Sequence, residues 1–352
     1  MVVGGKGTRL RPLTVHTPKS MLPCAGVPFL AHLLARAKAA GVTHLVLATS
    51  YRAELFSDKF GDGTELGLEL EYVTEDTPLG TGGALRNVAD RLRAGPDDPV
   101  LIFNGDILSG HDIGAQLATH RATRADVTLH LAEVADARAY GCVPTDETGR
   151  VSAFLEKLPE PVTNQINAGC YVFRRRVLDE IPAGRVISVE RETFPALLAR
   201  GARVQAYVDS AYWLDVGTPA AFVRGSADLV LGRAPSPAVP PVDGEALVLP
   251  GARVAPDAKL TGGACVGAGA QVGPGAYVDG SVLLDGAVIG DGTAVRGSAV
   301  GSGARIGAEC VLDGAVIGDG AVIGDGNELR AGIRVWTGAV LADGAVRFSS
   351  DM

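Results

Sequence analysis

Several stretches of the 352-residue chain carry residues that could do chemistry. Gly4-Gly5-Lys6-Gly7-Thr8-Arg9-Leu10-Arg11-Pro12-Leu13-Thr14 is the densest, with Pro18-Lys19 close behind. Glycines directly after a strand let the backbone approach a phosphate, and their N–H groups form an anion-binding nest. Arg9, Arg11 and Lys19 add fixed positive charge, and guanidinium suits phosphate oxygens. The run is neither a Walker A loop nor GxGxxG; its glycines alone would equally suit a tight strand-to-helix turn. A second loop, Pro78-Leu79-Gly80-Thr81-Gly82-Gly83, leaves room for a flat ring, or is a plain helix start with Thr81 as N-cap. Asn104-Gly105-Asp106 ends an apolar strand, where a carboxylate can hold Mg²⁺ between phosphates or simply shape a turn. Glu156-Lys157 reads by itself as a surface ion pair. Ser188–Pro195 reads by itself as an N-capped helix start.

The elements that must position these residues come in two regimes. Residues 1–230 alternate short apolar runs with helical stretches. Strands are expected at Leu45–Thr49, Leu68–Val73, Val100–Asn104 and Val127–Leu131, and helices at Phe29–Ala40 and Gly82–Leu92. Alternating β and α elements imply a mainly parallel, doubly wound sheet, with ligands at the carboxyl ends of its strands. The chain begins three residues before Gly4, so its first strand is expected to be truncated or unusually brief.

The tail differs. It holds 23 of the 47 glycines within residues 251–346, which separates it from the rest. Four prolines in Pro235–Pro241 mark a linker. Beyond it aliphatic residues recur at Leu260, Val266, Val272, Val278, Leu284, Ile289 and onward to Leu341. Of the 14 steps, 11 are of six residues and three of five. A six-residue period is neither helical nor a simple strand alternation. It fits a coil of three short strands per rung, about 18 residues long, with aliphatics stacked inside and glycines at the turns. The expected domains are therefore 1–232, a linker at 233–250, a repeat domain at 251–346 and a tail at 347–352.

Composition excludes several classes. The net charge of −8 and the lack of a Lys/Arg block disfavour nucleic acid. No apolar run is long enough to span a membrane, and no signal-peptide pattern opens the chain, so a cytoplasmic location is expected. Five scattered cysteines without a CxxC pair argue against disulfides or structural zinc and for buried thiols. All six histidines lie at or before His130, so the repeat domain has no histidine base of its own. An assembly or regulatory role, with self-association into a homo-oligomer, is the expectation for it.

The motif GGKGTRLRPLT, with Thr17-Pro18-Lys19 and Met21-Leu22-Pro23, resembles the signature of the sugar-1-phosphate nucleotidylyltransferases. Pro78-Leu79-Gly80-Thr81 resembles their guanylyltransferase branch, and Ser188–Pro195 resembles a run of its mannose-1-phosphate enzymes. The resemblance implies an α/β, Rossmann-like doubly wound mixed sheet followed by a left-handed parallel β-helix of hexapeptide repeats. It implies GTP and mannose 1-phosphate as substrates, GDP-mannose and pyrophosphate as products, and Mg²⁺ as cofactor. Glucose 1-phosphate with TTP, UTP or ATP, or a non-catalytic regulatory subunit, are the alternatives.

The resemblance also assigns roles. Gly4, Gly5, Gly7 and Thr8 cradle the phosphates, and Gly80, Thr81 and Gly82 lie against the base. Arg9 serves the leaving group and Lys19 the α-phosphate. Trp213-Leu214-Asp215-Val216-Gly217-Thr218 resembles a motif whose Asp is a second metal ligand, making Asp106 and Asp215 the Mg²⁺ pair. Phe154-Leu155-Glu156-Lys157 places Lys157 on the sugar phosphate and Glu156 on the sugar. There Leu158 stands where the family pattern has proline. Gly141, Asn167 and Gly169 complete the sugar site.

Overall fold

Short apolar runs of the first 210 residues pair into one mixed sheet. The computed structural model describes residues 1–156 and 159–347. Contacts divide the chain into a first unit, Met1–Gly5 with Leu33–Trp213, and a second, Lys6–His32 with the residues from Leu214 onward.

In the first unit the strands lie in the order Glu69–Thr74, His44–Thr49, Val2, Pro99–Phe103, Gln165–Arg174, Val127–Glu133, Val204–Asp209. Val2 joins the two halves by single parallel bridges to Ala48 and Asn104. Gln165–Arg174 is antiparallel to both neighbours, so the sheet is mixed. Leu129, Leu131, Phe173 and Phe194 are fully buried at its centre. Glycines stop the flanking helices: Phe29–Ala39 ends ahead of Gly41, whose φ of 85° is the left-handed conformation of a helix C-terminus. The helix after the second loop spans Gly80–Val88 and tightens into a 3-10 turn at Ala89–Arg91, short of Leu92.

In the second unit residues 246–341 form a parallel β-helix of three sheets. Valine, isoleucine and leucine suit these two- and three-residue strands because β-branched and aliphatic side chains pack well on a pleated surface. Register partners are 18 residues apart in the first and last turns and 17 apart between them, as in Leu247 with Cys265 and then Cys265 with Val282. The shortening falls at one corner, in the steps Val278 to Leu283, Val295 to Val300 and Leu312 to Ile317. The inward row therefore contains Leu283 rather than the expected Leu284. The short corner is stitched by buried serines: Ser281 Oγ accepts from Ser298 N (3.1 Å), and Ser298 Oγ from Ala315 N (2.9 Å).

Glycines elsewhere in the coil answer to close approach between turns. A Cβ on Gly290 would stand 2.5 Å from the Gly307 backbone, in ordinary φ space. Each turn also presents an outward residue on the first sheet. Cys265, Val282, Ala299 and Val316 form that row and are buried, although they point away from the coil's core.

Candidate functional site

The second unit carries the cationic part of the site. Leu10, Leu13 and Leu22 are fully buried and pin the segment whose charged residues alternate with them. Gly7 adopts φ 58° ahead of the 3-10 turn Thr8–Leu10. A Cβ there would meet Lys19 Cβ at 2.9 Å and Thr14 Cγ2 at 3.2 Å, so the two ends of the loop close over this glycine. Thr14 Oγ1 donates to Gly7 O at 2.7 Å and fixes that closure. Lys19 Nζ reaches to 3.9 Å from Asp215 Oδ1. Gly217 lies under the same group: a Cβ there would stand 2.8 Å from both Arg9 Nη2 and Asp215 Oδ1. Thr218 caps the helix Pro219–Val230 through Ala221 N (3.2 Å). The predicted Gly7, Arg9, Lys19 and Asp215 thus share one place, two basic groups around one carboxylate.

The first unit carries the second glycine-rich loop, Asp106 and the residues expected at the sugar. Gly4 O accepts from the Ser50 hydroxyl, and Gly5 is exposed. Gly80 has φ 70°, and Cβ atoms on Gly80, Gly82 and Gly83 would each fall within 2.7 Å of Ile187 or Arg185. Gly82 N and Gly83 N both donate to Ile187 O, at 2.8 and 3.3 Å. Thr81 is not the N-cap: it sits inside the helix, where Leu79 takes the cap position without a side-chain bond. Its hydroxyl instead donates to Glu190 Oε2 (2.9 Å) and accepts from Val189 N (2.9 Å). Ser188 does cap its helical turn, accepting from Arg191 N at 3.2 Å, and its hydroxyl donates to Glu190 Oε2 (2.9 Å).

Asn167-Ala168-Gly169 forms a β-bulge. The register passes from Asn167 opposite Leu131 to Tyr171 opposite Leu129, leaving three residues against one. Gly169 takes φ 75° there, and its carbonyl accepts from Asn104 N at 2.8 Å. Gly141 pairs with Glu156 across two short antiparallel strands, and Cys142 pairs with Ile166, so all four expected sugar-binding residues lie on adjoining strands. Tyr140 meets Trp213 edge-on at 5.4 Å, and Trp213 Nε1 donates to Ala168 O at 3.0 Å. Asp106 follows Gly105, where a Cβ would stand 2.6 Å from Val2 O. Lys157 and Leu158, and with them the loop that departs from the family pattern, lie outside the described residues.

Tyr171 joins these pieces and carries no motif signal. Its buried hydroxyl accepts from Asn167 Nδ2 (2.8 Å) and Asn104 Nδ2 (3.4 Å) and donates to Glu190 Oε1 (3.5 Å). Burial and the Glu190 carboxylate hold its pKa well above the usual phenol value, so it stays a donor. Glu75 was likewise not singled out by sequence. One of its oxygens accepts from Leu79 N (3.1 Å), the other is buried without a partner, and desolvation raises its pKa. All five cysteines are buried and free, as expected; burial pushes Cys170 and Cys265 up to about 12. Among the described residues no group of three or more His, Cys, Asp or Glu gathers as a metal cage. No helix among them is long and apolar enough to cross a membrane.

Residues 1–230 match the family described as Nucleotidyl transferase, and residues 242–341 match the GMPPB C-terminal domain. The chain is 58% identical to "Mannose-1-phosphate guanylyltransferase" of Mycobacterium tuberculosis (strain ATCC 25618 / H37Rv), over 100% of its own length and 98% of that protein's. It is 36% identical to "Probable mannose-1-phosphate guanylyltransferase 2" of Arabidopsis thaliana, over 64% of this chain and 63% of that one. The crystal structure of HddC from Yersinia pseudotuberculosis complexed with GMP-PN is similar with a TM-score of 0.56 and 26% identity, covering 65% of this chain and 97% of that one.

Proposed function

The chain belongs to the nucleotidyl transferase family, and on that premise we propose that it converts GTP and mannose 1-phosphate to GDP-mannose and pyrophosphate. The observation that carries this reading is the 58% identity to a mannose-1-phosphate guanylyltransferase across both the sheet and the β-helix. The chemistry follows from charge. An oxygen of mannose 1-phosphate attacks the α-phosphorus of GTP; a P–O bond forms there and the bond to the β-phosphate breaks. The nucleophile is already anionic, so no strong base is needed, and the barrier is repulsion between anions and charge on the leaving pyrophosphate.

Arg9 binds the β- and γ-phosphates and steadies the leaving group. Lys19 neutralises the α-phosphate, and Lys157 holds the attacking phosphate. Asp215, 3.9 Å from Lys19 Nζ, holds that ammonium in place before substrate arrives. Gly4, Gly5, Gly7 and Thr8 offer backbone N–H groups to the triphosphate. Gly80, Thr81 and Gly82 face the base, while Gly141, Glu156, Asn167 and Gly169 hold the sugar. Asp106 and Asp215 supply hard carboxylate oxygens, the donor chemistry Mg²⁺ takes when it binds through one or two carboxylates and substrate phosphates. Bound there, Mg²⁺ would neutralise phosphate charge.

We also propose the domain limits 1–232, 233–250 and 251–346, self-association through the β-helix and a cytoplasmic location. The decisive experiment is pyrophosphate release by the purified full chain with Mg²⁺, against four NTPs and several sugar 1-phosphates. Turnover greatest with GTP and mannose 1-phosphate is expected. A clear preference for another pair, or silence with every pair, refutes the proposal.

A further inference from the structure

The signature segment 6–32 lies along the outer face of the β-helix, in one compact unit with it. At one end a Cβ on Gly26 would meet Leu249 Cδ2 at 2.8 Å, and the Cys265 thiol bonds the Gly26 backbone. Ser226 Oγ, on the helix Pro219–Val230, accepts from Ala25 N (3.0 Å). Further along, His16 lies in the field of Asp319. At the far end Arg334 Nη1 donates to Arg11 O at 2.9 Å. From Cys265 to Arg334 is four turns of the coil, about 19 Å at about 4.8 Å per strand. The helix Pro219–Val230 packs on the strands of Cys265 and Val282, which accounts for their burial although they point outward. Arg334 continues that row in register, paired with Val316, and there the row changes from apolar to cationic.

Arg11 O is an acceptor that the hydrogen bonds of this loop's own turns leave over. Gly7, Thr8, Leu10 and Pro12 carbonyls accept from Leu10, Arg11, Leu13 and Val15 N–H groups. The Arg11 carbonyl instead takes its donor from 323 residues downstream. A charged donor on a rigid coil fixes where that carbonyl points, and with it the short turn that carries Arg9 two residues earlier.

We propose that Arg334 of the last coil turn is a positioning residue for the phosphate-binding loop, acting through the Arg11 carbonyl on Arg9. The kinetic part rests on the guanylyltransferase reading; the structural part does not. The test compares the full-length wild type with Arg334→Ala, Arg334→Lys and Arg305→Ala, the last an exposed arginine on another sheet of the coil. Hydrogen exchange at amides 8–15 is expected to quicken about three- to tenfold in Arg334→Ala, on the scale of one exposed charge-assisted hydrogen bond. It should recover in Arg334→Lys and stay at wild-type rates in Arg305→Ala. The melting temperature should hold throughout. In turnover, Arg334→Ala should raise the KM for GTP by a similar factor and leave that for mannose 1-phosphate within twofold. Unchanged exchange at 8–15 in Arg334→Ala, or equal quickening in Arg305→Ala, overturns the proposal. A wild type inactive with every substrate pair would overturn the guanylyltransferase reading, while the exchange data would still decide Arg334.

Discussion

Replacing Gly217 by alanine separates positioning from stability. The backbone at Gly217 is not in the left-handed region, so the methyl adds no strain of its own. It would stand 2.8 Å from Arg9 Nη2 and 2.8 Å from Asp215 Oδ1, where ordinary van der Waals contact begins near 3.4 Å. Both neighbours must retreat by about 0.6 Å or more. They are ends of flexible side chains, and Arg9 is exposed, so the cost in folding is expected to stay below about 1 kcal/mol, the centre of the range for point substitutions. Turnover is less forgiving. A displacement approaching 1 Å of a group that stabilises developing charge costs up to about 10²-fold. Gly217→Ala is therefore expected to lower kcat by about 10- to 100-fold with the melting temperature within about 2 °C of wild type. Pyrophosphate release and thermal unfolding on the same preparation measure both. Turnover within twofold of wild type would refute the placing of Arg9 over Gly217, and a large loss of melting temperature would refute the claim that its neighbours can yield.

Four further outcomes are expected. Arg9→Ala or Lys19→Ala should each cut kcat by about 10²–10³, the scale of losing one preorganised charge stabiliser, and near-native turnover counts against the assignment. Asp215→Asn should shift the Mg²⁺ titration of activity to higher concentration; an unmoved midpoint removes Asp215 from the metal pair. Thr81→Val breaks the bonds to Glu190 and Val189 N and leaves a buried donor unmet, so about 1–3 kcal/mol of stability and part of the GTP affinity should go, read by urea unfolding and KM. Acid should unfold the protein through three buried histidines. Burial holds His111 and His130 down to about 3 and His120 to about 4. Their folded pKa values lie below the unfolded value near 6.5, so their contribution is complete above that pH and falls as pH drops toward 3. Urea midpoints should therefore fall between pH 7.5 and 5, and midpoints that do not move over that range would contradict this.

Much of the proposed site could be named from sequence because its motifs are local. Glycines beside cations in Gly4–Thr14, small residues in Pro78–Gly83 and a carboxylate after an apolar strand each state a local backbone or charge requirement. The six-residue period was legible for the same reason, since every turn of the coil repeats one requirement. Its phase was harder: Leu283 and Leu284 are adjacent and equally apolar, and only the position of the short corner decides which one points inward. Thr81 misled because threonine before a helix usually caps it, whereas here a carboxylate 109 residues away claims the hydroxyl.

The sequence by itself determined the two architectures, the turn-rich, basic segment Gly4–Thr14 and the class of reaction. These depend on residue type at short spacing, where few conformations satisfy the pattern. Tertiary structure alone decided that Tyr171 and Glu190 tie the loop at Thr81 to the bulge at Asn167-Ala168-Gly169. It alone decided that Arg9, Lys19, Asp215 and Gly217 meet, and that the β-helix lends Arg334 to the Arg11 carbonyl. Most of those contacts join residues from 19 to more than 300 positions apart, and no period or motif along the chain encodes which distant hydroxyl, carboxylate or carbonyl will be buried beside which donor.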